Sequence, residues 1–146
     1  RRPDRGGRYG GPVDERTMRE RVAAARVGTL ATVTRDGRPH VVPCCFAVDG
    51  DTVWSAVDAK PKTTLALRRL ENVRADPAAS LLVHHYDDDW TRLWWVRLDG
   101  RARVVDGEEE RNRALGALAT KYLQYQGMPP PGPVLALDVT TWRAWP

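Results

Sequence analysis

Cysteine is scarce in this sequence, and its placement excludes a disulfide framework. The only two cysteines, Cys44 and Cys45, are adjacent, and a bridge between neighbouring residues is strained. No apolar run approaches the roughly 18–20 residues that a membrane-spanning helix needs. The opening residues RRPDRGGRYGGP also lack the apolar segment of a secretory signal. These absences predict a cytoplasmic protein with no membrane partner, in which both thiols act as small packed side chains.

The motifs of common hydrolases and metalloenzymes are missing as well. The sequence contains no P-loop, no GxSxG and no HExxH. His84 and His85 are consecutive in a predicted strand, so they point to opposite faces and do not easily share one metal ion. The acidic run Asp87–Asp89 lacks the spacing of an EF-hand and is predicted to be a solvated turn. We therefore assign no metal ligand and no catalytic residue.

The positive charge of the chain is concentrated at one end. Among 146 residues, 23 basic and 19 acidic side chains give a formal net charge of +4. Residues 1–16 hold five arginines against three acidic residues, so the rest of the chain is almost neutral. A nucleic-acid-binding domain concentrates basic residues on one face, so this balance disfavours a nucleic-acid partner. Residues 1–13, rich in Arg, Gly and Pro, are predicted to form a flexible arm, and 14–146 a single domain.

Within that domain, strands outnumber helices. The turns Asp36-Gly37 and Asp49-Gly50 are typical of two-residue hairpins and predict a three-stranded meander. Pro43 places its strand at an edge or a bulge, because proline donates no ladder hydrogen bond. Short hairpins favour an α+β protein, mainly β, in which helices pack against the openings of a six-stranded antiparallel barrel. The predicted strands are 27–34, 40–48, 52–57, 78–86, 92–105 (with a break near Asp99-Gly100) and 134–145; the predicted helices are 15–26, 60–72 and 106–122.

One basic segment suits an anion. Lys60, Lys62 and Thr63 surround Pro61 at the predicted start of a helix. The free N–H groups of a helix start carry partial positive charge, so lysines and a hydroxyl beside them can bind a phosphate or a carboxylate. A solvated basic helix start would have the same sequence, and this alternative stays open.

Four short motifs follow one another along the sequence: Gly28-Thr29-Leu30-Ala31-Thr32, Asp36-Gly37-Arg38-Pro39, Lys60-Pro61-Lys62-Thr63, and Asn72 followed by Asp76-Pro77. Their order and spacing resemble the split β-barrel flavin/deazaflavin superfamily, which includes pyridoxamine-phosphate-oxidase-like proteins with the FMN-binding fold. The resemblance covers about residues 14–145. The later motifs Asp89-Trp90, Leu93-Trp94-Trp95-Val96-Arg97 and Asp99-Gly100 resemble an actinobacterial branch of coenzyme F420-dependent enzymes.

The resemblance implies a homodimer with each cofactor in a groove between the protomers. It implies that the strand after the first Asp-Gly turn lies along the ring system of the cofactor, and that the basic segment holds its phosphate. The second protomer would contribute aromatic groups near the ring. The residues that match these roles are His40, Val41, Val42, Pro43 and Cys44 for the strand, Lys60, Pro61, Lys62 and Thr63 for the phosphate, and Trp90, Trp94 and Trp95 for the aromatic groups.

The implied function is that of a coenzyme F420-dependent oxidoreductase, which transfers a hydride between the deazaflavin and a small unsaturated organic substrate. Two alternatives stay open: an FMN-dependent oxidoreductase of the same fold, and a non-catalytic protein that binds a flavin, a deazaflavin or a haem-like ligand. Trp94 and Trp95 alternate across a strand, so we expect at most one of them to face a given groove. Nucleic-acid binding through the Arg-rich arm is a weaker alternative.

Overall fold

Antiparallel strands dominate the fold. The computed structural model describes residues 12–57 and 64–146. Its elements are α1 (Glu15–Ala24), β1 (Gly28–Val33), β2 (Pro39–Cys44), β3 (Ala47–Asp49), β4 (Thr52–Ala56), α2 (Thr64–Ala75), β5 (Ala78–His85), a 3-10 turn (Trp90–Arg92), β6 (Trp94–Val104), α3 (Glu108–Lys121), α4 (Gln124–Gly127) and β7 (Val134–Trp145). Apart from Pro12 and Val13, the predicted N-terminal arm lies outside the described residues.

The seven strands form one sheet that must roll up. Their order is β2-β1-β5-β6-β7-β4-β3, so β2 and β3 are the two edges. Only Cys45 and Phe46 separate these edge strands along the chain. The three steps from Cys44 to Ala47 can span at most about 11 Å, so the end of β2 lies close to the start of β3 and the sheet must curl into a split barrel. The predicted mainly β, antiparallel barrel with helices is therefore confirmed.

The predicted strand 40–48 is wrong in one respect, and this changes the strand count from six to seven. Apart from Pro43, which indicates an edge or a bulge, the apolar run from Val41 to Val48 contains no break signal, so its pattern predicts a single strand. In the structure the chain leaves one edge of the sheet at Cys44 and joins the other at Ala47. The predicted meander is wrong for the same reason, because the two hairpins, β1–β2 and β3–β4, lie at opposite edges.

Side-chain hydroxyls bind the backbone where the strand breaks. Phe46 is fully buried, and its N–H donates to the Tyr122 hydroxyl at 3.1 Å. The Tyr122 oxygen also lies 2.9 Å from the Arg26 carbonyl and 3.1 Å from the Phe46 carbonyl, either of which can accept its proton. The Ser55 hydroxyl donates to the Cys45 carbonyl at 2.8 Å. The backbone groups that lack strand partners at the break are thus hydrogen-bonded by two hydroxyls, that of Tyr122, directly after α3, and that of Ser55 in β4.

Several local predictions are confirmed. Gly37 and Gly50 have φ of 85° and 62°, the left-handed conformation that the two Asp-Gly turns require. Pro43 lies in β2, which is an edge strand. The pairing of β6 with β7 shifts register between Asp99 and Gly100, at the predicted break.

The barrel interior and one outer surface form separate apolar clusters. Interior side chains from β1, β5 and β6, including Leu30, Leu81 and Leu98, pack with Val22 of α1 and Leu70 of α2. Helices α1 and α2 approach opposite ends of β5. Ala25, just after α1, lines a cavity with Val83, near the end of β5. Asn72 of α2 donates to Thr32, which pairs with Ala79 near the start of β5. Helix α3 instead packs outside the barrel, on a second cluster that includes Ala47, Trp54 and Ala136.

The Tyr122 hydroxyl is predicted to stabilise the link between the barrel edges. Tyr122→Phe removes the partner of the buried Phe46 N–H, so the free energy of unfolding should fall by about 1–3 kcal/mol. Chemical denaturation measures this change. Tyr86→Phe is the control, because Tyr86 is 65% exposed and its hydroxyl has no such role. Equal stability of the wild type and Tyr122→Phe would contradict the assignment.

Candidate functional site

An apolar pocket lies on the outer face of the sheet, at the end of β5 and the start of β6. Directly paired residues of antiparallel strands share a face, and His84 pairs with Trp95, which pairs with Trp145. The next outward row contains Leu82 and Arg97. These rows border a cavity of about 470 Å³, within the range of small-molecule sites. We call it the aromatic pocket; its lining is Leu82, His84, His85, Tyr86, Leu93, Trp94, Trp95, Arg97 and Trp145.

Both Trp94 and Trp95 border this pocket, so the expectation that only one would reach a given groove is wrong. Trp95 belongs to the outward row, and Arg97 lies over its ring at 5.9 Å. Trp94 is the first residue of β6 and also packs against the interior cluster. Successive side chains of a strand point to opposite faces of the sheet, but this separates them only where neighbouring strands continue. At the end of a strand, a large ring can border both faces. His85 stacks on Trp94 with a centroid separation of 6.2 Å.

Trp90 does not line the aromatic pocket in the described residues. It begins the 3-10 turn and is 56% exposed. Asp89 caps this turn by accepting from the Thr91 N–H at 3.1 Å, so the acidic run serves a local structural role. Within 12–57 and 64–146, no group of three or more His, Cys, Asp or Glu side chains could hold a metal ion.

The β2 residues divide between two faces. Val41 and Pro43 pair with Ala31 and Thr29 on the outer face, and Val41 is 59% exposed. Val42 and Cys44 point inward and pack in the interior cluster. His40 pairs with buried Thr32, and its Nδ1 atom is buried without a hydrogen-bond partner among the described residues.

Two ionisable groups near the strand break have shifted pKa values. Burial raises the pKa of the Cys44 thiol, which is free, whereas Cys45 is free and exposed. Burial, together with the nearby charge of Arg26, lowers the pKa of the Lys121 amine to about 8. The Lys121 Nζ atom lies 3.8 Å from the centre of the Phe46 ring. Cys44 thus remains a protonated thiol at neutral pH and acts as a packed apolar side chain.

Lys60, Pro61, Lys62 and Thr63 lie outside the described residues. The structure does fix where the chain enters that segment. Ser55, near the end of β4, pairs with Leu135, which pairs with Val104. Trp95 and Val104 lie near opposite ends of β6, roughly 30 Å apart along the strand. The aromatic pocket and the end of β4 are therefore at opposite ends of the barrel.

The sequence reasoning did not assign seven of the nine pocket residues to a site: Leu82, His84, His85, Tyr86, Leu93, Arg97 and Trp145. Trp145 lies beside Trp95 only because β6 and β7 pair in one particular register. The irregularity at Asp99/Gly100 shifts the pairing of β6 with β7, and the spacing of residues in the sequence does not predict by how many residues the register shifts. His84 was weighed only as a metal ligand. Its aromatic neighbours on β6 and β7 were the signal that could have placed it in an apolar pocket.

The barrel and its external pocket define a split-barrel protein with a ligand-sized apolar site. The sequence model of the pyridoxamine 5'-phosphate oxidase family matches residues 15–146, so the chain belongs to that family. No match is found among curated proteins. In the described residues, no helix has the length and apolar character needed to cross a bilayer.

Solved structures share the fold at low sequence identity. The conserved hypothetical protein Rv2991 from Mycobacterium tuberculosis is 24% identical with a TM-score of 0.75, covering 95% of this chain and 89% of its own. A haem-binding protein from Mycobacterium smegmatis is 23% identical with a TM-score of 0.71, covering 88% of this chain and 52% of its own. An FAD-binding protein from Mesorhizobium loti is 20% identical with a TM-score of 0.68, covering 92% of this chain and 95% of its own.

Proposed function

We propose that this protein is a coenzyme F420-dependent oxidoreductase that passes a hydride to a small unsaturated organic substrate. The cofactor would lie along the outer face of β2 in one protomer, with its phosphate bound by Lys60, Lys62 and Thr63. The aromatic pocket of a second copy would close over the ring and hold the substrate. The observation that carries this proposal is that the aromatic pocket and the end of β4, which the basic segment follows in the sequence, lie at opposite ends of the barrel.

That separation favours a site made from two chains. The end of β4, from which the basic segment continues, lies roughly 30 Å along β6 from the row that holds Trp95. A single small cofactor ring cannot contact both ends of the barrel. In a two-fold dimer the same surface of both protomers forms the interface, and the two copies run in opposite directions. One end of a barrel can therefore meet the opposite end of its partner.

The outer face of β2, β1 and β5 is suited to contact a second copy. Val41 and Pro43 are exposed and apolar, and Leu82 is half-buried on the same face. The polar groups at the centre of the face are paired: Arg97 donates to Asp99 at 2.9 Å, and Ser80 donates to Asp99 at 2.6 Å. Covering this face would therefore not leave Arg97 or Asp99 as a lone buried charge.

The residues present fit a planar aromatic cofactor and its acceptor. The aromatic pocket is almost entirely apolar, and its tryptophan rings can stack on a flat molecule. On the outer face of β2, Val41 and Pro43 offer an exposed apolar surface to the ring, whereas His40 points to the inner face with Thr32. A bound deazaflavin or flavin supplies the hydride chemistry itself. The side chains of this protein would orient the reactants and exclude water.

A second candidate, non-catalytic binding of a flavin or of haem, is favoured by two observations. Solved structures with this fold include an FAD-binding protein and a haem-binding protein. His84 and His85 line the aromatic pocket, and an imidazole nitrogen is a common axial ligand of haem iron. Tight binding of haem without turnover of any acceptor would favour this candidate over the oxidoreductase.

Substitution of the basic segment should weaken cofactor binding. Charge-assisted contacts contribute roughly 1.5–3 kcal/mol each, and each 1.4 kcal/mol is about tenfold in affinity. We therefore expect Lys60→Ala/Lys62→Ala to weaken F420 binding by at least about tenfold in equilibrium titrations run side by side with FMN.

The control for this titration is Arg16→Gln/Arg113→Gln. It also removes two positive charges, from side chains that are 88% and 70% exposed on α1 and α3. The control should bind F420 like the wild type. Wild-type affinity of the lysine variant for both cofactors would refute the phosphate site, and tighter binding of FMN than of F420 would select the FMN alternative.

The proposed interface predicts that a charge on the outer face of β2 separates the protomers. Val41→Glu should convert the dimer into a monomer at micromolar concentration, because burying an unpaired carboxylate is costly. Light scattering measures the mass. Leu123→Glu is the matched control, since Leu123 is 78% exposed but lies between α3 and α4 and not in the sheet. A monomeric wild type, or a dimeric Val41→Glu variant, would contradict this interface.

A further inference from the structure

A second cavity adjoins the aromatic pocket and has a different chemistry. It lies between the last turns of α1 and the end of β5, and its volume is about 460 Å³. His84, His85 and Trp94 line both cavities, so these residues form a shared wall. We call it the basic cavity; its other lining residues are Glu20, Arg21, Ala24, Ala25, Arg26, Val27 and Val83.

The charge of the basic cavity is positive and largely uncompensated. Its one carboxylate, Glu20, already accepts from the Arg16 guanidinium at 3.0 Å. Among the described residues, Arg21 and Arg26 form no ion pair with a carboxylate. Arg26 donates instead to the Lys121 carbonyl at 3.0 Å. Two guanidinium groups thus border one cavity without an anion.

Arg21 is held at the shared wall. Its guanidinium carbon lies 5.0 Å from the centre of the Trp94 ring, a distance at which the cation is attracted to the aromatic face. Its Nη1 atom is buried and has no hydrogen-bond partner within 12–57 and 64–146. A buried donor without an acceptor is costly, and a guanidinium is well matched to a carboxylate. An acceptor that reaches Arg21 would relieve this cost.

We propose that the two cavities together bind a planar aromatic carboxylic acid. The ring of the ligand occupies the aromatic pocket, and its carboxylate crosses the shared wall to Arg21, with Arg26 adding positive potential. This requires only that the acid group extend a few atoms beyond the ring. The assignment of such an acid as the hydride acceptor rests on the proposed function, whereas the binding itself does not.

The binding test uses pyrenebutyrate and its uncharged analogue pyrenebutanol, without any cofactor. Both carry the same flat ring and the same chain, and both quench tryptophan fluorescence when bound near Trp94 and Trp95. The wild type should bind the acid at least about tenfold more tightly than the alcohol, as one good charge-assisted pair provides. Salt should weaken binding of the acid and leave that of the alcohol nearly unchanged.

Arg21→Gln should abolish the preference for the acid and leave binding of the alcohol within about twofold. The matched control is Arg74→Gln, because Arg74 is likewise an arginine in the last turn of a helix, at the other end of the barrel. Circular dichroism checks folding, and Arg21→Lys, which keeps the charge but not the planar fork, should retain an intermediate preference.

Two results would overturn the proposal: equal affinity of the wild type for acid and alcohol, or an undiminished acid preference in folded Arg21→Gln. The comparison of the two probes on the wild type needs no variant, so it tests the proposal even if Arg21→Gln fails to fold. Neither result bears on the F420 titration. Conversely, a failed F420 titration with intact acid preference would refute the proposed function and leave this site standing.

Discussion

The barrel depends on a link of two residues between its edge strands. Cys45 and Phe46 carry the chain from one edge of the sheet to the other, and because this link is short, the seven-stranded sheet must curl until its two edges approach each other. The Tyr122 and Ser55 hydroxyls bind the backbone groups that the break leaves without strand partners. Because Tyr122 follows directly after α3, the same contact fixes that helix against the outside of the barrel. Closure then gives every strand an inner and an outer face.

Those two faces decide which residues can meet a ligand. Alternation sends Leu30, Leu81 and Leu98 into the core, and it sends Val41, Leu82 and Trp95 to the outer surface. The outer surface carries an aromatic pocket at one end, next to a basic cavity under α1. In the sequence, the basic segment follows β4, whose last residues lie at the other end. The proposed site would therefore combine elements of two chains.

Local chemistry made much of this fold predictable from the sequence. Glycines at Asp-Gly turns, a proline at an edge strand and a break near Gly100 each left a signal in a few neighbouring residues. The split of the predicted strand 40–48 left only Pro43 as a local sign, because the hydroxyls that bind the backbone at the split belong to Tyr122 and Ser55, which lie outside this stretch of sequence. The place of Trp145 in the pocket was not predicted for a similar reason, since only the register of β6 against β7 places it beside Trp95. Long-range contacts decide what local patterns cannot, and the pocket is built almost wholly from such contacts.

Complementation between defective subunits tests most directly whether each site is shared by two chains. The two variants to mix are Lys60→Ala/Lys62→Ala, defective in the basic segment, and Trp95→Ala, defective in the aromatic pocket. Each alone should bind F420 weakly. After dissociation and random reassociation, mixed dimers contain one site built from two intact halves, so the mixture should recover about a quarter of the wild-type capacity at wild-type affinity. No recovery on mixing, with mixed dimers demonstrated, would contradict the account and place both halves of the site in one chain.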